Sequence, residues 1–207
     1  MKGVAILSGG LDSTVSLAVA VRKMELVLAL TFDYGQRAAR REREASAAIA
    51  RNYRVPHRVI AIPWLASLTG TALVNRKAAL PRHEMSERSA RAVWVPNRNG
   101  VFIEIAAAHA ESAGATRLIT GFNREEAATF PDNSKAYVGA VNRSLSYSTA
   151  NGVRVVSYTI DLDKKGIVRL GRKLRAPLER IWPCYEGGRA WCGSCESCLR
   201  SLRALHE

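Results

Sequence analysis

The sequence runs to 207 residues, 47 % of them apolar, and its 31 Lys and Arg against 18 Asp and Glu leave a formal net charge of +13 and a pI near 10.2. That length supports one compact domain with a substantial core. No apolar run approaches the roughly 20 residues of a membrane helix, and no charged leader precedes a cleavable apolar stretch, so a membrane partner is excluded and the cytoplasm is the expected compartment. A positive field favours acidic partners such as ATP, phosphates or nucleic acid. The basic residues are mostly Arg scattered along the chain without a recognition motif, so nucleic acid is not expected as the direct substrate.

In chain order, residues 3–7 form an apolar run that reads as a strand, and after a glycine-rich break residues 11–24 place small and apolar side chains at helical spacing. Residues 26–32 read as a second strand, 36–53, rich in Ala, Arg and Glu, as a helix, and 57–62 as a third strand. From 63 to 96 the polarity is mixed, with short helical candidates at 64–68 and 84–92 and no clear period, as expected of an insertion over a site. Regularity resumes with a helix at 100–113, a strand at 117–121, a helix at 134–148, a strand at 153–158 and a helix at 163–174. Strands alternating with helices give an α/β fold class: a doubly wound, mainly parallel, five-stranded sheet covered on both faces, Rossmann-like in layout. Ligands of such sheets bind at the carboxyl ends of the strands, near the reversal in strand order.

Between the first strand and the first helix lies Leu7 followed by Ser8-Gly9-Gly10-Leu11-Asp12-Ser13-Thr14. Free backbone N–H groups and the positive end of a helix dipole converge at such a position, which makes it an anion site. Gly9 and Gly10 let the backbone approach phosphate oxygens without Cβ clashes, Ser8, Ser13 and Thr14 add hydroxyl donors, and Asp12 can hold the Mg2+ that accompanies ATP. The plainer reading is a tight turn with Asp12 or Ser13 as an ordinary cap. The string lacks the Lys of a Walker loop and does not match G-x-G-x-x-G, so neither of those phosphate-binding patterns describes it.

All four cysteines fall at the end of the sequence, Cys184, Cys192, Cys195 and Cys198, the last three as C-x-x-C-x-x-C. Four clustered thiolates suit a closed tetrahedral zinc site that leaves no open position for water, which makes a bound zinc structural. Free buried thiols, a redox pair or an iron–sulfur cluster are the competing readings of the same spacing. The histidines, His57, His83, His109 and His206, show neither metal spacing nor a nucleophile partner, and the four tryptophans are expected in the core or a lid.

The run from Ser8 to Ser13 resembles the S-G-G-x-D-S loop of the ATP pyrophosphatases, the PP-loop superfamily. That resemblance implies that the loop grips the pyrophosphate end of ATP while AMP passes to an oxygen of the substrate, with Asp12 and Ser13 in catalytic roles. Further strings narrow it: Leu30-Thr31-Phe32-Asp33-Tyr34-Gly35-Gln36-Arg37, Val95-Pro96-Asn97-Arg98-Asn99, and Cys184-Tyr185-Glu186-Gly187-Gly188 ahead of the cysteine triplet. Together they resemble the 7-cyano-7-deazaguanine synthase family from near the N-terminus to the end of the sequence, although many relatives carry Gly in place of Asn97 and Cys in place of Asn133.

The family resemblance implies conversion of 7-carboxy-7-deazaguanine, ammonia and ATP to the nitrile 7-cyano-7-deazaguanine, precursor of queuosine and archaeosine, by a homodimer. It also implies an ATP-binding domain over residues 1–180 and a zinc-binding segment over 181–207 packed on it. In this picture Asp33, Gln36 and Gly121 join the loop at ATP, Arg98 neutralises phosphate charge during catalysis, and Tyr34, Asn123, Glu126 and Asp132 are the candidates for the base pocket. A guanine-like edge offers N–H donors, so Asp132 or Glu126 is the expected acceptor. Two other functions stay open: a PP-loop enzyme that thiolates or amidates tRNA, and a non-catalytic zinc-ribbon module that binds RNA. Commitment of every cysteine to metal counts against thiolation, and the intact loop counts against the module.

Overall fold

A computed structural model describes residues 1–206. Five parallel strands, β1 (Lys2–Ile6), β2 (Glu25–Asp33), β3 (His57–Ala61), β4 (Arg117–Thr120) and β5 (Arg154–Ser157), form one sheet in the order β3-β2-β1-β4-β5. The helices are α1 (Leu11–Ala20), α2 (Ala39–Asn52), α3 (Trp64–Ser67), α4 (Glu87–Ala92), α5 (Arg98–Ser112), α6 (Arg124–Ala127), α7 (Lys135–Ser148), α8 (Lys164–Lys173) and α9 (Glu196–Leu205). The chain winds outward from β1 to β3, then returns through α5 to β4 on the other side of β1. The reversal in strand order therefore falls between β1 and β4, at the two loops that follow them.

Alternation along each strand supplies a core on both faces of the sheet. Val4, Leu30 and Leu118 point to one face, where Ile103, Ala107 and Leu145 of α5 and α7 cover them. Ala5, Ala29 and Ile119 point to the other, against Val15, Ile49 and Ile167 of α1, α2 and α8. Each large aliphatic side chain fully removed from water this way contributes about 1.5–3 kcal/mol before the entropy of ordering is counted.

The expected α/β class and parallel sheet are observed, while several element ends move. α1 stops at Ala20, short of residue 24, because the next amides bond three residues back, Arg22 N to Val19 O and Lys23 N to Ala20 O. α2 starts at Ala39, later than residue 36, because the Gln36 side chain folds back on the end of β2, accepting from Tyr34 N and donating to Phe32 O. The mixed segment 63–96 buries Leu65, Leu73, Leu80, Val93 and Val95 in the core while Leu73 and Val93 also line a cavity, so it covers a site as its polarity suggested. Among the described residues no helix is long and apolar enough to cross a membrane. The expected tail segment 181–207 ends on Glu207, which lies outside the described residues.

Candidate functional site

A concavity opens where the sheet reverses, at the carboxyl ends of β1 and β4. β1 leads through Leu7, whose carbonyl is fixed by the Thr31 and Ser46 hydroxyls, into Ser8 and Gly9. Gly9 adopts φ +77, and a Cβ there would meet the Glu42 carbonyl at 2.9 Å, so only glycine fits this turn. Gly10 is the N-cap of α1, and no side chain caps that helix. The hydroxyls instead tie the loop to itself: Thr14 Oγ1 donates to Gly10 O at 2.7 Å, Ser8 N donates to Ser13 Oγ and Gly10 N to Ser8 Oγ. The first-turn amides of α1 are thereby left for an anion in the cavity, which Leu11, Asp12 and Ser13 line.

Gly121, at the end of β4, closes the other side. A Cβ on it would come within 2.5 Å of Ser13 N, so the absence of a side chain is what lets the loop and β4 meet. Asp12 then faces a partner from the far half of the chain. Lys164 Nζ, on the first residue of α8, lies 2.5 Å from Asp12 Oδ2 and 2.6 Å from Glu126 Oε1, and the lysine is only 3 % exposed. Burial alone would lower the Lys164 pKa, but the two carboxylates outweigh it and hold the ammonium charged. Burial pushes the Asp12 carboxyl up to about 6 against the pull of Lys164, and Asp12 Oδ1 is buried without a partner. That free oxygen beside the anion site fits a magnesium ligand.

Arg98 opens α5 and donates to the Tyr34 hydroxyl at 3.2 Å. Its N-cap, Asn97, sits at φ +49, a left-handed conformation in which glycine carries no strain and Asn is among the better-tolerated alternatives. Glu42 enters the cavity from α2, and burial pushes its carboxyl up to about 7 despite the Gln36 donor and the nearby Arg98.

Of the residues singled out from sequence, Leu7, Ser8, Gly10, Leu11, Asp12 and Ser13 line the cavity, as do Tyr34, Arg98, Gly121 and Glu126. The others lie behind it. Gly9 and Thr14 shape the loop, Asp33 pairs with Arg43 at 3.0 Å, and Gln36 buckles the β2 turn. Asn123 is fully buried as the N-cap of α6, accepting from Glu126 N at 2.9 Å. Asp132 accepts from Asn99 and Asn133, and it is Asn133 that reaches the cavity. Sequence reasoning missed Lys164, Glu42, Glu196 and Arg200, all of which line it. One signal was available for Lys164, because a cation in the first turn of a helix opposes the dipole there and calls for another reason to be present.

The four cysteine sulfurs lie within 4.8 Å of one another, and Cys192 Sγ stands 3.9 Å from Cys198 Sγ. A tetrahedron with metal–sulfur bonds of about 2.3 Å has edges of about 3.8 Å, so this cluster fits a zinc-sized ion. Backbone N–H groups of Glu186 and Cys192 point at Cys184 Sγ, and that of Cys195 at Cys192 Sγ, an arrangement that suits thiolates. The tail is tied to the glycine loop after β1, since Trp182 N donates to Gly9 O at 2.7 Å.

An uncapped helix at the strand-order reversal, with a buried cation and carboxylates beside it, marks this as a doubly wound α/β protein with its open helix start in the cavity. The profile of the family described as queuosine biosynthesis protein QueC matches residues 2–207, and the chain belongs to that family. It is 54 % identical over 212 residues to the 7-cyano-7-deazaguanine synthase of Pelotomaculum thermopropionicum, covering 99 % of this chain and 96 % of that one. To the enzyme of the same name from Bdellovibrio bacteriovorus it is 52 % identical, over 99 % of this chain and 92 % of the other. Among solved structures, NMN synthetase from Francisella tularensis superposes with a TM-score of 0.53 at 17 % identity, over 94 % of this chain and 69 % of the other, which shows a shared fold.

Proposed function

We propose that this chain makes 7-cyano-7-deazaguanine from 7-carboxy-7-deazaguanine and ammonia, using ATP to activate oxygen as a leaving group. Relatives of that name at more than half identity support the reaction. The observation that carries the mechanism is the contact of Lys164 with Asp12 at the uncapped start of α1. The first-turn amides and Ser8 are placed to receive the β and γ phosphates, and Asp12 Oδ1 would hold the Mg2+, which would neutralise charge on them. Attack of the substrate carboxylate oxygen on the α-phosphorus expels pyrophosphate into donors already in place, so no reorganisation is needed as charge develops. Lys164 and Arg98 flank that charge.

The acyl adenylate then has AMP to lose where the free acid had only hydroxide, and ammonia displaces it to give the amide. A second adenylation, now on the amide oxygen, lets that oxygen depart on AMP as the remaining N–H protons leave, giving the nitrile. Both carboxylate oxygens end on AMP, and two ATP are consumed per nitrile. The cysteine cluster takes a structural zinc, with no open position for chemistry. All four cysteines lie in that cluster, which leaves no thiol beside the nucleotide for sulfur transfer.

Mass spectrometry of products formed from 18O-carboxylate-labelled substrate, ammonium and Mg-ATP tests the reading. The expected result is unlabelled nitrile with label in AMP; absence of AMP and pyrophosphate release with this acid would refute it.

A further inference from the structure

The cavity has a second polar end, built by the tail. Glu196, directly after Cys195, is the first residue of α9 and is 3 % exposed. Its Oε1 accepts from Arg200 Nε at 3.1 Å and Arg200 Nη2 at 2.7 Å, while Arg200 Nη1 reaches Glu125 Oε1 at 3.0 Å. Arg200 so holds the Glu196 side chain in place and fills one of its oxygens. The other, Oε2, is buried with no partner, and both residues line the cavity. A buried carboxylate oxygen left open is costly unless a ligand donor meets it.

The remaining acids at this site are accounted for. Asp12 and Glu126 share the Lys164 ammonium, with Asp12 Oδ1 open beside the loop after β1, Glu42 accepts from Gln36, and Asp132 accepts from two amides. Resting on the functional reading above, we propose that Glu196 Oε2 is the acceptor that recognises the 2-amino edge of the deazaguanine base, with Arg200 as its positioning residue. The fold gives this a simple logic: the loop end of the cavity holds phosphates with amides and cations, and the tail end presents the anion that a donor-rich base requires. The metal segment thereby acts in substrate choice.

The test compares 7-carboxy-7-deazaguanine with its counterpart lacking the 2-amino group, in the zinc-loaded parent and in Glu196→Gln. The parent is expected to favour the amino-bearing base roughly 10- to 100-fold in kcat/KM, because the analogue leaves Oε2 unpaired. In E196Q the carbonyl turns to Arg200 and the amide NH2 faces the cavity, replacing an acceptor with a donor. The KM for the amino-bearing base is expected to rise and the preference to disappear, with the KM for ATP and the zinc content unchanged. Glu196→Asp, which keeps the charge and withdraws it by one methylene, is expected to retain part of the preference and serves if E196Q does not fold. A parent that treats the two bases alike, an E196Q or E196D protein with the full parental preference, or a defect confined to the KM for ATP or for ammonium would overturn the assignment. A parent that makes no nitrile from the acid sinks the functional reading itself, a different outcome from nitrile formation without discrimination.

Discussion

Lys164 Nζ reaches Asp12 Oδ2 across 2.5 Å of space and 152 positions of sequence, joining the first turns of α8 and α1, which pack side by side. Two helix starts that would repel each other's charge are held by one buried ion pair, with Glu126 on the lysine's other side. Removing the lysine leaves two buried carboxylates without a counter-ion. Lys164→Met is therefore expected to cut pyrophosphate release by about 10²- to 10³-fold and to cost about 3–5 kcal/mol of stability. Asp12→Asn, which keeps shape and hydrogen bonding, is expected to slow release while melting close to the parent. Parental rates in both variants would remove this pair from the chemistry.

Gly121 offers a steric test of the same site. Its missing Cβ would strike Ser13 N at 2.5 Å and Ser13 Cα at 2.7 Å, both backbone atoms that cannot swing aside. Gly121→Ala is expected to push the loop off β4, weakening ATP binding at least tenfold and destabilising the fold by about 1–3 kcal/mol. Calorimetric titration with a non-hydrolysable ATP analogue and a thermal melt measure the two effects; unchanged affinity would show that the loop tolerates the displacement.

Glu42 makes a prediction about pH. Burial raises its carboxyl from the ordinary 4.5 to about 7, so the native chain keeps a proton that the unfolded chain has released. The stability this group contributes is full below pH 4.5 and is lost as pH rises through 7. Glu42→Gln, which cannot ionise, is expected to flatten that decline and to exceed the parent by about 1–2 kcal/mol at pH 8. Denaturant midpoints taken from pH 4 to 8 check it, and parallel curves for the two proteins would contradict the raised pKa.

The cysteine cluster predicts metal dependence. Cys195→Ser is expected to abolish stoichiometric zinc, to lower the melting temperature, and to raise the KM for the base more than that for ATP, since α9 starts at the next residue and carries Glu196 and Arg200 into the cavity. Elemental analysis of the parent that found iron and sulfide in place of zinc would reverse the assignment.

The parts of the site that were legible in the sequence are those whose chemistry is contiguous. The loop from Ser8 to Thr14 and the cysteine tail each carry their geometry within a few residues, and their helix and strand context follows from short-range pattern. Lys164 and Glu196 were not legible as site residues because each is defined by what the fold brings to it: Asp12 from the first helix, and a cavity wall from the last. Locally, Lys164 looked like one more cation in a basic helix. Asn123, whose place after a strand suggests a pocket residue, is used by the structure to cap a one-turn helix. Asp132 was adjacent to the residue that mattered, because the 3-10 turn at Pro131–Asn133 points Asn133 into the cavity and leaves Asp132 to Asn99.

The bond from Trp182 N to Gly9 O joins the approach to the cysteine tail to the tightest turn of the loop after β1. A version shortened to residue 180 would lose more than an ornament: the carbonyl of a left-handed glycine would be orphaned, and the curvature it imposes would go slack. Engineers seeking a minimal scaffold from this chain would have to keep the tail or replace that single amide.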